Sequence, residues 1–172
     1  MNIKKYFKIW LKTTSLSLQS HLFTWGASTM YIIGKIIRFI FFLLLIVIVL
    51  KQTKYLAGYN LSQLIVFFLI FHLADMLGQF FYRGIYFFRN EVISGHFDLT
   101  LVKPVNALFQ VLTAHTDVLD IPLLPLMLYL FFTLKINITL PNFLIFLLIF
   151  ICSLLIITAI HIFIACIGVI TT

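Results

Sequence analysis

Residues 39–50 contain no polar side chain, and they complete an apolar block from about residue 31 to residue 50, near the roughly twenty residues that a helix needs to cross hydrocarbon. Three further blocks follow, at about residues 61–81, 107–134 and 142–172. The chain is 63% hydrophobic and 10% charged, with a mean hydropathy of +1.15, well above the roughly half-apolar usage of soluble domains. The expected fold class is therefore an all-α integral membrane protein with four transmembrane helices.

The interval between the second and third blocks, residues 82–106, is the one long mixed-charge break. Arg83, Arg89, Glu91, Asp98 and Lys103 all fall in it, which suits a loop meeting an aqueous partner. Its punctuation predicts two short helices, the bland alternative being an ordinary charged loop. Ile85, Phe88 and Val92 recur at helical spacing, and Gly95 stands where such a helix takes a left-handed terminating residue. Asp98 is expected to cap the second helix, Pro104 to end it, and Asn106 to cap the next long one.

Ahead of the first block, Ile3, Tyr6, Phe7, Trp10 and Leu11 keep helical spacing while Lys4, Lys5, Lys8 and Lys12 fall on the other side. That pattern predicts an amphipathic helix in the headgroup plane over residues 1–12, with residues 13–26 turning the chain toward the bilayer. No apolar run follows the first lysines closely enough for a cleavable signal. The organisation expected is an interfacial helix and elbow at 1–27, a first helix pair at 28–81, a loop at 82–106 and a second helix pair at 107–172.

Several intramembrane polar residues interrupt the blocks. Lys35 and Arg38 lie in the first two turns of the first, where they either snorkel to headgroups or pair with an acid inside the bundle. His72 and Asp75 interrupt the second, whose Ala74 and Gly78 form a small-xxx-small pair suited to close helix approach. Asp117 and Asp120, three residues apart, share a helix face in the third, and Pro122 and Pro125 directly after predict a kink. An unpaired charge at mid-span costs about 2.5–3.5 kcal/mol. The acids should therefore face the bundle interior, with at least one of them paired to Lys35 or Arg38.

Lysine and arginine are split nine against three. Lys4, Lys5, Lys8, Lys12, Lys35, Arg38, Arg83, Arg89 and Lys103 stand on one side, and Lys51, Lys54 and Lys135 on the other. The positive-inside rule then puts the amino terminus and residues 82–106 in the cytoplasm of a cell (inner) membrane. The net charge of +7 flanks apolar spans, so anionic lipid headgroups rather than nucleic acid are its counterpart. Cys152 and Cys166 share a predicted helix about 21 Å apart by helical rise, too far to pair. Asn60-Leu61-Ser62 and Asn137-Ile138-Thr139 match a glycosylation pattern that is common by chance.

Gly58-Tyr59-Asn60-Leu61, Leu73-Ala74-Asp75-Met76-Leu77 and, above all, the run from Ile93-Ser94-Gly95-His96-Phe97-Asp98 through Lys103-Pro104-Val105-Asn106 resemble the permease subunits of ATP-binding-cassette exporters of the type-two permease family. The resemblance covers most of the chain. Members typically carry six spans, so the expectation is a chain cut short after Thr172. The resemblance implies a homodimeric or heterodimeric permease whose cytoplasmic loop docks on a separate nucleotide-binding ATPase subunit. In that reading Arg89, Glu91, Asp98 and Lys103 carry the docking contacts, while Gly95 and Pro104 shape the loop.

The sequence has no phosphate-binding loop, since Gly34-Lys35 lacks both the first glycine and the following serine or threonine. ATP-driven work is thus expected from a partner, with no cofactor or metal held by this chain. The rival reading is a membrane-embedded enzyme using His72, His96, His115 or His161 beside Asp75, Asp98, Asp117 or Asp120. No metal-ligand spacing such as His-Glu-x-x-His and no paired acids beside a nucleophile support it. A passive channel would require filter segments that the sequence lacks.

Overall fold

The computed structural model describes residues 3–53, 58–134 and 139–171. Lys54, Lys135 and Asn137, which entered the charge count and the glycosylation pattern, lie outside the described residues. The elements are α1 (Ile3–Phe23), α2 (Trp25–Thr53), α3 (Leu61–Tyr82), α4 (Phe88–Ile93), α5 (His96–Leu101), α6 (Ala107–Thr113), α7 (Leu124–Thr133) and α8 (Leu140–Ile170). Short 3-10 segments at Arg83–Phe87 and Val118–Leu123 lead into α4 and α7.

Three helical runs are long and apolar enough to cross a membrane: Trp25–Thr53, Leu61–Ile93 and Leu140–Ile170. Ala107–Thr113 and Val118–Thr133, bent by 47° at the break between them, are long and apolar enough only as a pair, so the described residues hold three such runs, or four with the pair taken as one broken span. The expected all-α membrane fold holds, but the third span is broken rather than kinked at its prolines. The interruption falls at residues 114–117, where Asp117 is extended and accepts from the Leu119 amide instead of continuing a helix. Pro122 then sits inside the 3-10 segment, and Pro125 occupies the first turn of α7, where a missing amide hydrogen costs least.

The core lies where α2, α3 and the α7 region meet, around Phe39, Phe68, Leu69, Leu123 and Met127. α8 packs on α3 and α4 yet buries none of its described residues, so it stands at the periphery. The start of α3 is fixed by reciprocal bonds: the Asn60 side chain accepts from the Gln63 amide at 2.9 Å, and the Gln63 side chain accepts from the Asn60 amide at 3.0 Å. Asn60, read in sequence as part of a glycosylation pattern, is thus a helix cap.

α1 is longer than the expected twelve residues and turns only at Thr24, whose hydroxyl donates to the Ser20 carbonyl. It continues because its second half has partners: the Thr14 and Thr116 hydroxyls bond at 3.2 Å, and the Ser17 hydroxyl accepts from the Thr116 amide. Trp10 packs on Phe80 and Phe81 of α3. Ile3, Phe7, Leu11, Leu18 and Leu22 remain exposed beside the lysine face, the pattern of a helix lying at a membrane surface.

The close approach expected at Gly78 occurs elsewhere. A Cβ added at Gly78 would meet nothing within 4 Å, whereas one at Gly84 would lie 2.0 Å from the Val111 carbonyl oxygen. Gly84 therefore lets the segment after α3 touch the backbone of α6. Only a residue without a side chain fits there.

Candidate functional site

Two arrangements of functional side chains emerge, one buried among the spans and one at the end of the bundle. The buried one begins with Lys35, which α2 carries into the interior beside the break in the third span. Its ammonium donates to Asp117 at 2.9 Å and to Asp120. Asp117 is 1% exposed, and Arg83 pairs with the same carboxylate oxygen as Lys35. Arg83 also donates to Gln79 at 3.2 Å, and Gln79 donates to Asp75 at 3.0 Å. The result is one polar chain, Asp75–Gln79–Arg83–Asp117–Lys35–Asp120, linking α2, α3 and the broken span.

The arrangement follows from local structure. Gln79 and Arg83 are a turn apart, as are Asp75 and Gln79, so one face of α3 aligns all three. The break exposes the Asp117 amide, which donates to the Gln79 carbonyl at 3.4 Å. Tyr31 covers the cations, with the Lys35 ammonium 4.6 Å from its ring centroid. Burying charge is costly unless it is paired, and here two cations stand among three acids.

Of the intramembrane residues singled out from sequence, Lys35, Asp117 and Asp120 converge, and Asp75 joins through Gln79. Arg38 does not. It is exposed, because the α2 face that carries Lys35 and Phe39 inward points Arg38 away. Arg83 takes the second cation's place, although its position in the mixed-charge stretch assigned it to a loop. Its four-residue spacing from Gln79 was the available signal.

The second arrangement is the segment after α3. The run from Leu61 to Ile93 would span about 50 Å by helical rise against about 30 Å of hydrocarbon, longer than one crossing needs, and its far end, α4, packs on α8. Gly95 has φ +74° and reverses the chain between α4 and α5, where Phe88 meets Phe97 edge-on at 5.2 Å. Gly95 itself holds the N-cap position of α5, so Asp98 lies within the first turn and makes no side-chain cap, contrary to the sequence reading. Its charge still favours that helix end. Asn106 caps α6 as expected, accepting from the Phe109 amide at 3.1 Å.

The docking residues inferred from sequence do not form one patch. Asp98 is exposed on α5 beside Leu99, Leu101 and Val102, which are 65%, 57% and 84% exposed. Glu91, Lys103 and Pro104 line a cavity against α1. Arg89 runs toward α8, with its stem beside Gly168. The base of the segment is tied to α1: Lys5 donates to the Pro104 carbonyl at 3.0 Å, and Tyr6 accepts from the Asn106 amide at 3.3 Å. Neither tie was legible, because both join residues about a hundred positions apart.

The four histidines of the enzyme reading are each occupied separately. His72 meets the Phe68 carbonyl, His161 bonds Tyr86 at 2.8 Å, His96 bonds Ser94 at 2.8 Å and His115 packs on Phe87. Among the described residues none of them is hydrogen-bonded to a carboxylate, and no three His, Cys, Asp or Glu side chains are grouped to hold a metal ion.

Compared with known proteins, residues 19–172 match the family model described as ABC-2 family transporter protein. No curated protein and no solved structure matches the chain.

Proposed function

The chain belongs to the ABC-2 transporter family, and on that premise we propose that residues 82–106 are the surface through which a separate ATP-hydrolysing subunit drives the spans of an exporter. Membership makes the protein an integral membrane permease subunit of an ABC transporter, a class whose ATPase is a separate subunit. The observation that carries the docking role is the exposed apolar tip of α5. Leu99, Leu101 and Val102 stand in the open next to Asp98, outside the spans, as an apolar patch with a charged neighbour suits a protein partner.

In this reading Asp98 and the apolar tip meet the ATPase, while Arg89 turns toward α8 and Glu91 and Lys103 face the cavity behind α5. Gly95 sets the reversal that presents α5, and Pro104 ends the segment at its tie to α1. A displacement of α5 would reach α6 through residues 102–106. From α6 it would pass to the break at 114–117 and the Lys35 cluster, which is where the third span can change its angle. The amino terminus and residues 82–106 then face the cytoplasm of the cell membrane, and two permease chains, identical or different, enclose the transport path.

The test uses Asp98→Ala with Leu99→Ala in the intact transporter. Both side chains are exposed, so the bundle should assemble normally. The expected result is weaker capture of the ATP-binding subunit and reduced stimulation of its ATPase at unchanged membrane levels. Unchanged capture together with unchanged stimulation would contradict the docking role.

A further inference from the structure

Between α1, the α4–α5 pair and α6 lies a cavity of about 670 Å³, within the size range of small-ligand sites. Its walls carry Lys12 from α1, Glu91 from α4 and Lys103 from the segment after α5, with the His115 imidazole from the break after α6, set among apolar side chains such as Phe88 and Val111. Among the described residues no salt bridge joins these three charges to one another. Two ammonium groups and one carboxylate around a common space are complemented by a ligand that itself bears both signs.

The depth of the cavity narrows the ligand further. α1 forms one wall, and its exposed Ile3, Phe7, Leu11 and Leu18 beside a lysine face set it in the headgroup plane. The cavity therefore opens where lipid phosphates lie. We infer that it holds the headgroup of an ethanolamine phospholipid, with the phosphate against Lys12 and Lys103 and the primary ammonium against Glu91. The acyl chains would leave along the exposed apolar face of α1.

Such a lipid bridges three elements that otherwise meet through few polar bonds, and it makes the position of α4 and α5 sensitive to the surrounding bilayer. The site is independent of ATPase docking, because it is built from this chain and lipid alone. Its failure and the failure of the docking role are therefore separable.

Delipidated full-length protein in mild detergent is titrated with dihexanoylphosphatidylethanolamine and, in parallel, with the glycerol and choline analogues. Bound lipid is counted by native mass spectrometry. The ethanolamine lipid is expected to bind about tenfold more tightly than either analogue. Lys12→Ala with Lys103→Ala removes that binding, and Lys4→Ala with Lys8→Ala, on the same helix but away from the cavity, leaves it intact. Glu91→Gln abolishes the preference for ethanolamine over glycerol.

Competition on the unmutated protein separates the possible sources of the phosphate without relying on any variant. Free phosphoethanolamine should displace the lipid and inorganic phosphate should not. Equal displacement by inorganic phosphate, equal loss in the two lysine pairs, or no preference among headgroups in the unmutated protein would each overturn the inference. So would displacement only by a peptide of the ATP-binding subunit, which would make the cavity a protein-docking cleft.

Discussion

Asp117 holds the broken span through four attachments. Its carboxylate takes Lys35 and Arg83 and caps the following 3-10 segment, and its amide reaches the Gln79 carbonyl. Removing one partner from a buried ion pair typically costs about 3–5 kcal/mol, because the charge left behind stays desolvated. Lys35→Leu is therefore expected to lower the yield of folded protein sharply in fluorescence-detected size exclusion, whereas Arg38→Leu should remain near the unmutated level. If Arg38→Leu were the more damaging change, the assignment of the buried cation would be wrong. The cost of intramembrane charge made the acids at 117 and 120 legible in the sequence, and their three-residue spacing suggested a shared partner. The identity of the second cation was not legible. Arg83 sits in a stretch that reads as loop, and only the continuation of the helical run past Tyr82 brings it back to the cluster.

The element that joins the site to the spans is the segment from Gly84 to Asn106, and its two constrained glycines fix its shape for different reasons. Gly84 lies against the α6 backbone, so Gly84→Ala would press a methyl group onto the Val111 carbonyl, an atom that cannot move without shifting α6. Overpacking of this kind costs about 1–3 kcal/mol. A fall in thermal midpoint should show it, and an unchanged midpoint would mean that the two backbones are further apart. Gly95→Ala instead strains a positive φ by about 1–2 kcal/mol at an exposed turn. It should weaken binding of the ATP-binding subunit with only a small fall in thermal midpoint. Gly95 and the Asn106 cap were readable because turn and cap chemistry is local. The break at 114–117 was not, because prolines mark where a helix can bend, while α6 already ends at Thr113, ahead of both prolines, and Asp117 finds its partners outside the helix.

Across the whole molecule, hydropathy was enough to give the class, an all-α membrane protein, since a chain in hydrocarbon must satisfy its backbone within its own helices. The packing order was less accessible. α8 is as apolar as any span yet contributes nothing to the core, because its neighbours in the described residues cover only one side of it. Orientation can be read from single cysteines at Ser94 and Thr53. With an impermeant thiol reagent on intact cells, Thr53→Cys should label and Ser94→Cys should not, and the reverse pattern would invert the topology. Docking of α5 on the ATP-binding subunit is tested by placing a photoreactive amino acid at Leu99, or at Tyr59 at the opposite end of α3, in cells that co-express that subunit. An adduct of the ATP-binding subunit, identified by mass, is expected from Leu99 and none from Tyr59. An adduct from Tyr59 with none from Leu99 would contradict it.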